Sequence, residues 1–503
     1  MSDIIIELEC EEDTLILGRA LAQTISAGDV VFLTGQMGAG KSALARAAIQ
    51  SLNPSGLAVP SPSFTLVYPY SDGHKSVYHA DLYRLTDPEE VYELGLADCL
   101  NDHALLIEWP EKGAGHLPAQ TLTLNLSLIG ATQRRLSIRS HDGALCASLE
   151  LNYKRQKMLA QFLLQNGLAE AHVQHIAGDA SSRRYLRITR HDQEAPATYV
   201  LMDWPHGPDG PAVYKGEPYS KIARLAEATP QFCAMVRHLK EIGLSAPHIY
   251  AADEDAGLIL LEDFGAENLQ DMARDNPMLP VCLAEAVATL SALHCHPAAP
   301  FLHTYDAHII WFETTLFLDW YLPGLGIEVT EPARKAWEAM WRDISLRCLS
   351  LPHVTVLRDF HSPNLLWLPM RQSVQRIGLI DVQDALAGSP AYDLASLLQD
   401  ARVDMDEVYE AIGLSRYYDW QEMDPKTIQQ FRIEYDILGV QRNLKIAGIF
   451  HRLARRDGKP HYLKHMPRIE GYLRRGLSRP ALAPLRVWLN TYARELGWHL
   501  NEG

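Results

Sequence analysis

The chain has 503 residues, 47% apolar and 21% charged, which excludes disordered and low-complexity classes and predicts about three folding units. It has no run of about 18 apolar residues and no basic, apolar leader, so a cytoplasmic protein without membrane spans is expected. A net charge of −16 argues against broad nucleic-acid binding, and seven scattered cysteines without a CxxC pair argue against a disulfide framework or structural zinc.

Residues 29–34 (DVVFLT) are predicted as a buried strand and 43–52 as a helix broken by Asn53-Pro54-Ser55-Gly56. Further strands are predicted at 77–84, 104–107 and 121–129, the last with a period of two. Strand, helix and strand in succession make residues 1–145 an α/β layer. The pattern lapses over 137–153, with Ser140-His141-Asp142-Gly143 as a break, so 146–153 is read as a linker. Residues 154–266 mix a helix, a hairpin and strands. Residues 267–503 are mostly helical, apart from a strand-rich patch at 354–382. A small β-containing lobe before a large helical one hints at a kinase-like shape.

Gly35-Gln36-Met37-Gly38-Ala39-Gly40-Lys41-Ser42 fits GxxxxGK[ST], directly after an apolar strand and at the opening of a helix. Such a loop, here Gly35, Gly38, Ala39 and Gly40, turns backbone N–H groups inward around phosphate oxygens, and the helix N-terminus adds positive charge. Lys41 is assigned to the β/γ-phosphates of ATP and Ser42 to Mg²⁺. Glu108 ends an apolar strand, where a Walker-B acid and second magnesium ligand sits. Asp81 shares a strand face with His79 and Tyr83 and is placed to orient water or magnesium.

With Val59 to Val67 (VPSPSFTLV), HADLYRL and Ile107-Glu108-Trp109-Pro110, these residues resemble the ATPase subunit of the bacterial tRNA threonylcarbamoyladenosine machinery (TsaE). Four motifs in order over about 110 residues carry the resemblance. It implies a P-loop ATPase working with two partner subunits (TsaB and TsaD) that modify adenosine 37 of tRNA. Its switch-like segment falls on Pro60 to Thr65 and its acidic positions on Asp81 and Glu108. The tRNA would be gripped mainly by the partners.

A second phosphate site is read at Val356-Leu357-Arg358-Asp359-Phe360-His361-Ser362-Pro363-Asn364. Asp359 and Asn364 stand five apart, the spacing of a kinase catalytic loop with Asp as base and Asn as metal ligand. Asp381 follows an apolar strand seventeen residues after Asn364 and takes the place of the metal-binding Asp. Asp359 would accept a hydroxyl proton while Asn364 and Asp381 hold Mg²⁺ against the phosphates. Asp393, in Ala391-Tyr392-Asp393-Leu394, is read as structural, tying the loop by hydrogen bonds.

This half resembles the aminoglycoside-phosphotransferase-like small-molecule kinases, and within them the anomeric sugar kinases of cell-wall recycling (AmgK). The resemblance covers about residues 153–500, on GDASSRRY, Leu261-Glu262-Asp263-Phe264-Gly265, LRDFHSPN, LIDVQDALAGSPAYDLASLLQDAR and Gln441 to Lys445. It implies a two-lobed α+β kinase that phosphorylates N-acetylmuramate and N-acetylglucosamine at the C1 hydroxyl. Gly178 to Arg184, with Ser181, Ser182 and Arg184, would be the hairpin over the ATP phosphates. The backbone around Glu262 would read adenine. The strand at 199–203 departs from the wider kinase pattern because it has no lysine. Either Arg184 or Arg187 substitutes, or the phosphates rely on metal and backbone.

Residues 442–475 hold ten Lys or Arg against two acids in this acidic chain. Solvated helix faces, a site for the sugar's lactyl carboxylate (Arg442 and Lys445 the expected contacts) and a tRNA-facing patch all account for the run. The whole is read as a fusion of two ATP-using enzymes. Phosphorylation of another hydroxyl compound, or a pseudokinase scaffold, stands as the alternative for the second half.

Overall fold

The computed structural model describes residues 4–52, 59, 66–71, 76–176, 183–191, 196–205, 210–274 and 278–498. Ser181, Ser182 and the Pro60 to Thr65 segment lie outside them. The chain forms two compact units, Met1–His175 with Ile188–Ala197, and Ile176–Arg187 with Thr198–Gly503. Among the described residues no helix is long and apolar enough to cross a membrane.

The first unit is built on a seven-stranded sheet. Its centre is parallel: Val30–Thr34 lies between Leu122–Leu128 and Ala104–Glu108, and Ser76–Asp81 follows. Val30, Val31, Leu33, Leu105, Leu106 and Ile107 are all 0–1% exposed, as a sheet covered on both faces requires. Three strands the sequence reading passed over, Ile4–Leu8, Val67–Ser71 and Arg134–Ser140, add antiparallel pairings. The helix Lys41–Leu52 starts on the phosphate-loop lysine, as its motif demands.

The expected linker at 146–153 is not one. Gly143–Gln165 is a single helix, and the polar break before it is its cap: Asp142 accepts a hydrogen bond from the Ala144 N–H at 2.8 Å. Cys146, Leu149 and Tyr153 point into the core of the first unit. Asn152 donates to Thr24 at 3.0 Å, and Lys157 pairs with Asp13 at 3.2 Å. The break was misread because Ser, Asp and Gly mark helix starts as well as turns.

In the second unit the strand Leu258–Glu262 pairs antiparallel with Ala197–Asp203 and Ile249–Asp253. The rest is mainly helical around one large core. Its longest helix, Pro425–Arg455, has Asp424 as cap and proline at its first turn. It buries Phe431, Tyr435, Leu438, Leu444 and Ala447. Two short antiparallel strand pairs, one nested within the other in sequence, interrupt the helices: Val354–Val356 with Leu386–Gly388, and Leu365–Trp367 with Ile377–Leu379. They bring residues 357–364 and 380–385 to one place, with Ile380 N–H donating to Asn364 O at 3.2 Å.

His294 is buried against Tyr417, Nδ1 to Oη 2.6 Å, and burial pushes its pKa down to about 3. The unfolded chain therefore binds the extra proton below about pH 6.5, so stability from this group is full above that pH and falls as pH drops toward 3. Urea titrations should show a loss of about 2 kcal/mol between pH 7.5 and pH 5 from this residue. His294→Gln should flatten that slope. Separately, a fragment ending at 145 should melt well below one ending at 166, because it lacks Leu149 and Tyr153, each worth about 1.5–3 kcal/mol of burial.

Candidate active sites

In the first unit the phosphate loop closes on itself tightly. A side chain on Gly35 (φ +129°) would place Cβ 2.0 Å from Leu126 O, so only glycine fits. Lys41 is buried. Its ammonium donates to Gly35 O at 2.7 Å and Gln36 O at 3.0 Å, and lies 3.7 Å from the centre of the Trp109 ring. Burial lowers its pKa against the pull of Glu108, Glu111 and Asp81. Trp109 takes a left-handed backbone (φ +56°), and its ring also meets Tyr83 at 5.0 Å.

The sheet register sets Asp81 beside Glu108 at the ends of adjacent strands, and Glu108 beside Leu33 at the mouth of the loop. Ser42 Oγ donates to Glu108 Oε2 at 2.7 Å, while His79 Nε2 meets Glu108 Oε1 at 2.9 Å with both side chains 1% exposed. A hydroxyl and a carboxylate in contact at a helix N-terminus fit a hard cation such as Mg²⁺ on a nucleotide phosphate. A cavity of about 440 Å³ opens there, lined by Gly38, Gly40, Lys41, Ser42, Asp81 and Glu108. Arg134 and Thr14 also line it, which the sequence reading missed because long-range sheet pairing and helix packing bring them in.

In the second unit Asp393 has both carboxylate oxygens on the catalytic loop. They accept Leu357 N–H at 2.6 Å and Arg358 N–H at 2.9 Å, which is the tying role read from the sequence. Burial pushes Asp393 up to about 7 even so. Asn364 Nδ2 donates to Asp359 O at 3.1 Å, and Ser362 N–H to Asp400 at 2.7 Å. Arg358 (φ +68°) and Asp381 (φ +60°) both hold left-handed backbones, strain of the kind that collects at working sites.

Charges then tune the two acids in opposite directions. Burial would raise Asp359, but the neighbouring His361 and the positive charges of Lys445, Arg358 and Arg442 outweigh it and hold the carboxyl below its ordinary value. The His361 ring itself, pushed down to about 4 by burial, is neutral at neutral pH. Asp381 is raised by burial, opposed by Arg183 and assisted by the nearby Asp359 and Asp384. Gln383 donates to Asp381 at 3.1 Å. An ionised carboxylate beside an amide and a second carboxylate is a donor set that suits a magnesium-bound phosphate.

Four of the expected site residues are given protein partners or a buried position. Lys445 does not wait for a substrate carboxylate: it donates to Glu313 at 3.0 Å and to Tyr392 Oη at 3.1 Å. Arg442 is 4% exposed, inside the protein beside the catalytic loop. Arg184 pairs with the buried Asp203 at 2.6 Å, because strand alternation turns it away from the residues on either side. Glu262 has its carboxylate on Arg371 and on the His248 N–H, so its side chain serves the lobe. Residues further along the basic run are ion-paired: Arg456 with Asp457, Arg468 with Asp404, Arg474 with Glu470 and Arg475 with Glu410. Sequence reasoning missed Glu313, which is 0% exposed and holds Arg358 as well as Lys445. A lone acid in an apolar helix carried no motif.

A phosphate-loop fold and a kinase-type catalytic loop thus occupy one chain. Residues 8–136 match the profile for threonylcarbamoyl adenosine biosynthesis protein TsaE, and residues 172–425 that for the phosphotransferase enzyme family. The chain is 34% identical to an N-acetylmuramate/N-acetylglucosamine kinase of Caulobacter vibrioides, over 68% of this chain and 98% of that protein. A kinase of the same description from Neisseria meningitidis is also 34% identical, over 62% of this chain and 88% of its own length. The tRNA threonylcarbamoyladenosine biosynthesis protein TsaE of Rickettsia bellii is 37% identical, over 26% of this chain and 91% of that protein. The chain belongs to the phosphotransferase enzyme family through its second part and to the TsaE family through its first.

Asp359→Asn should lower kcat of the phosphotransferase by about 10²–10⁴-fold without shifting the melting temperature. Glu313→Gln should instead destabilise the fold by about 3–5 kcal/mol, because two buried cations lose their anion, and urea unfolding would measure it.

Proposed function

We propose that the second part transfers the γ-phosphoryl group of ATP to the C1 hydroxyl of N-acetylmuramate and N-acetylglucosamine. The first part, by this reading, is the ATPase subunit for N6-threonylcarbamoyladenosine formation at position 37 of tRNA. The observation that carries the kinase assignment is the convergence of Asp359, Asn364 and Asp381 on two nested strand pairs, with Asp393 fixing the loop between them.

Asp359, held ionised at neutral pH by the cations around it, takes the proton of the attacking hydroxyl. Asn364 and Asp381 are the residues to hold Mg²⁺, which supplies charge neutralisation on the phosphates. In the first part, backbone N–H groups of residues 35–42 and Lys41 receive the phosphates of ATP. Ser42 and Glu108 hold Mg²⁺, and Asp81 orients the attacking water. His79 fixes the Glu108 carboxylate through its 2.9 Å contact. TsaB- and TsaD-like subunits are the partners, and tRNA is reached through them.

Phosphorus NMR of the full chain with Mg-ATP and N-acetylmuramate tests the kinase reading. An anomeric sugar-phosphate signal is expected, and none from Asp359→Ala. No sugar phosphate, with ADP formed only by the first part, would overturn the assignment in favour of another hydroxyl substrate or a scaffold. Co-purification with the two partner subunits, in the presence of ATP, tests the first part, and its failure would count against that assignment.

A further inference from the structure

The strand Ala197–Asp203 (ATYVLMD) has no lysine to meet nucleotide phosphates. Two arginines on the neighbouring strand, Arg184–Arg190, are committed elsewhere. Arg184 pairs with buried Asp203, and Arg187 grips Asp263 with two bonds of 2.7 and 3.2 Å. Arg183 is ion-paired too, but with a carboxylate of the site proposed above. Its guanidinium meets Asp381 at 2.8 Å and lies 5.0 Å from the ring centre of the buried Trp204. Its charge also reaches Asp384 and Asp359.

Side chains two apart on a strand share a face, so Tyr185 and Arg187 point the same way, and Arg183 precedes the strand's first residue. Tyr185 sits in the field of Arg183, Asp381 and Asp384. Arg187 holds the segment Leu261 to Gly265, whose backbone is the expected reader of adenine, through Asp263 and, at 3.5 Å, Gly265 O. From Arg187 to Arg183 the backbone advances about 13 Å at roughly 3.3 Å per residue. This stretch therefore runs from that segment to the carboxylates of the proposed site, the direction a nucleotide takes from base to terminal phosphate.

We propose that Arg183 is the cation that binds the β/γ-phosphates of the nucleotide in place of the strand lysine, an assignment that rests on the kinase reading above. Asp381, Asp384 and Asp359 gather three carboxylates, and Arg183 offsets their repulsion. A metal ion on Asp381 would take over that duty. The planar guanidinium, braced by Trp204, then suits two phosphate oxygens at once.

Calorimetry on the full chain tests this, with Lys41→Ala in every sample to remove the phosphate grip of the first site. With Mg²⁺ present, Arg183→Ala should weaken ATP binding about 10–100-fold and leave AMP binding unchanged. Arg183→Lys should recover part of the loss, which a purely structural role would not predict. Unchanged ATP affinity in Arg183→Ala, or an equal loss for ATP and AMP, would overturn the proposal. If the Lys41→Ala parent binds no nucleotide and makes no sugar phosphate, the kinase reading itself falls, and this assignment with it.

Discussion

Glu313 is fully buried on the helix Ala307–Leu316, and four side chains converge on its two oxygens. Arg358 and Lys445 meet Oε1, and Tyr305 Oη at 2.5 Å and Gln441 Nε2 at 3.1 Å meet Oε2. An isolated buried carboxylate would take up a proton, because charge in a low-dielectric interior is costly. Here burial pulls upward, but Lys445 and Arg358 win and hold Glu313 down at about 2. The two cations are then fixed, and both lie in the field of Asp359. The ionisation of Asp359 therefore depends on a buried acid that holds both of these cations in place. Arg358 also donates to Ala223 O at 3.0 Å, so the same network sets the position of the loop.

The two phosphate sites solve one electrostatic problem by different means. The first relies on backbone. Its loop is shaped by glycines, its anion-facing charge comes partly from a helix terminus, and its lysine rests on loop carbonyls and an indole face. The second relies on side chains drawn from distant parts of the chain. Arg183 and Asp381 are nearly two hundred residues apart, yet they meet. A backbone site tolerates little change in its eight residues. A side-chain site distributes the same constraint over the core of a domain.

That difference explains what could be read from sequence. The loop 35–42, the Asp359–Asn364 spacing and Asp381 were legible because each is local and sits beside an apolar strand. The parallel strands around 30–34 and 104–108 were legible as short apolar runs. Arg183, Glu313 and His79–Glu108 were not, since their meaning lies in contacts across 29 residues or more. Lys445 shows the opposite error. A cation in a family-like segment was read as substrate-facing, but the acid that satisfies it lies 132 residues away. The strand Arg134–Ser140 was passed over although Leu136 and Ile138 alternate, because arginines and serines dilute the pattern.

The helix Gly143–Gln165 falls between the two family matches, which end at 136 and resume at 172. Its first half nevertheless carries core residues of the first unit. A helix is a phased object: each residue added within it turns everything beyond by about 100°. One extra residue after Cys146 would swing Leu149 and Tyr153 off the face they bury, whereas seven, close to two full turns, would nearly restore it. The first half of this helix is therefore constrained in angle as well as in length by the core of its own unit.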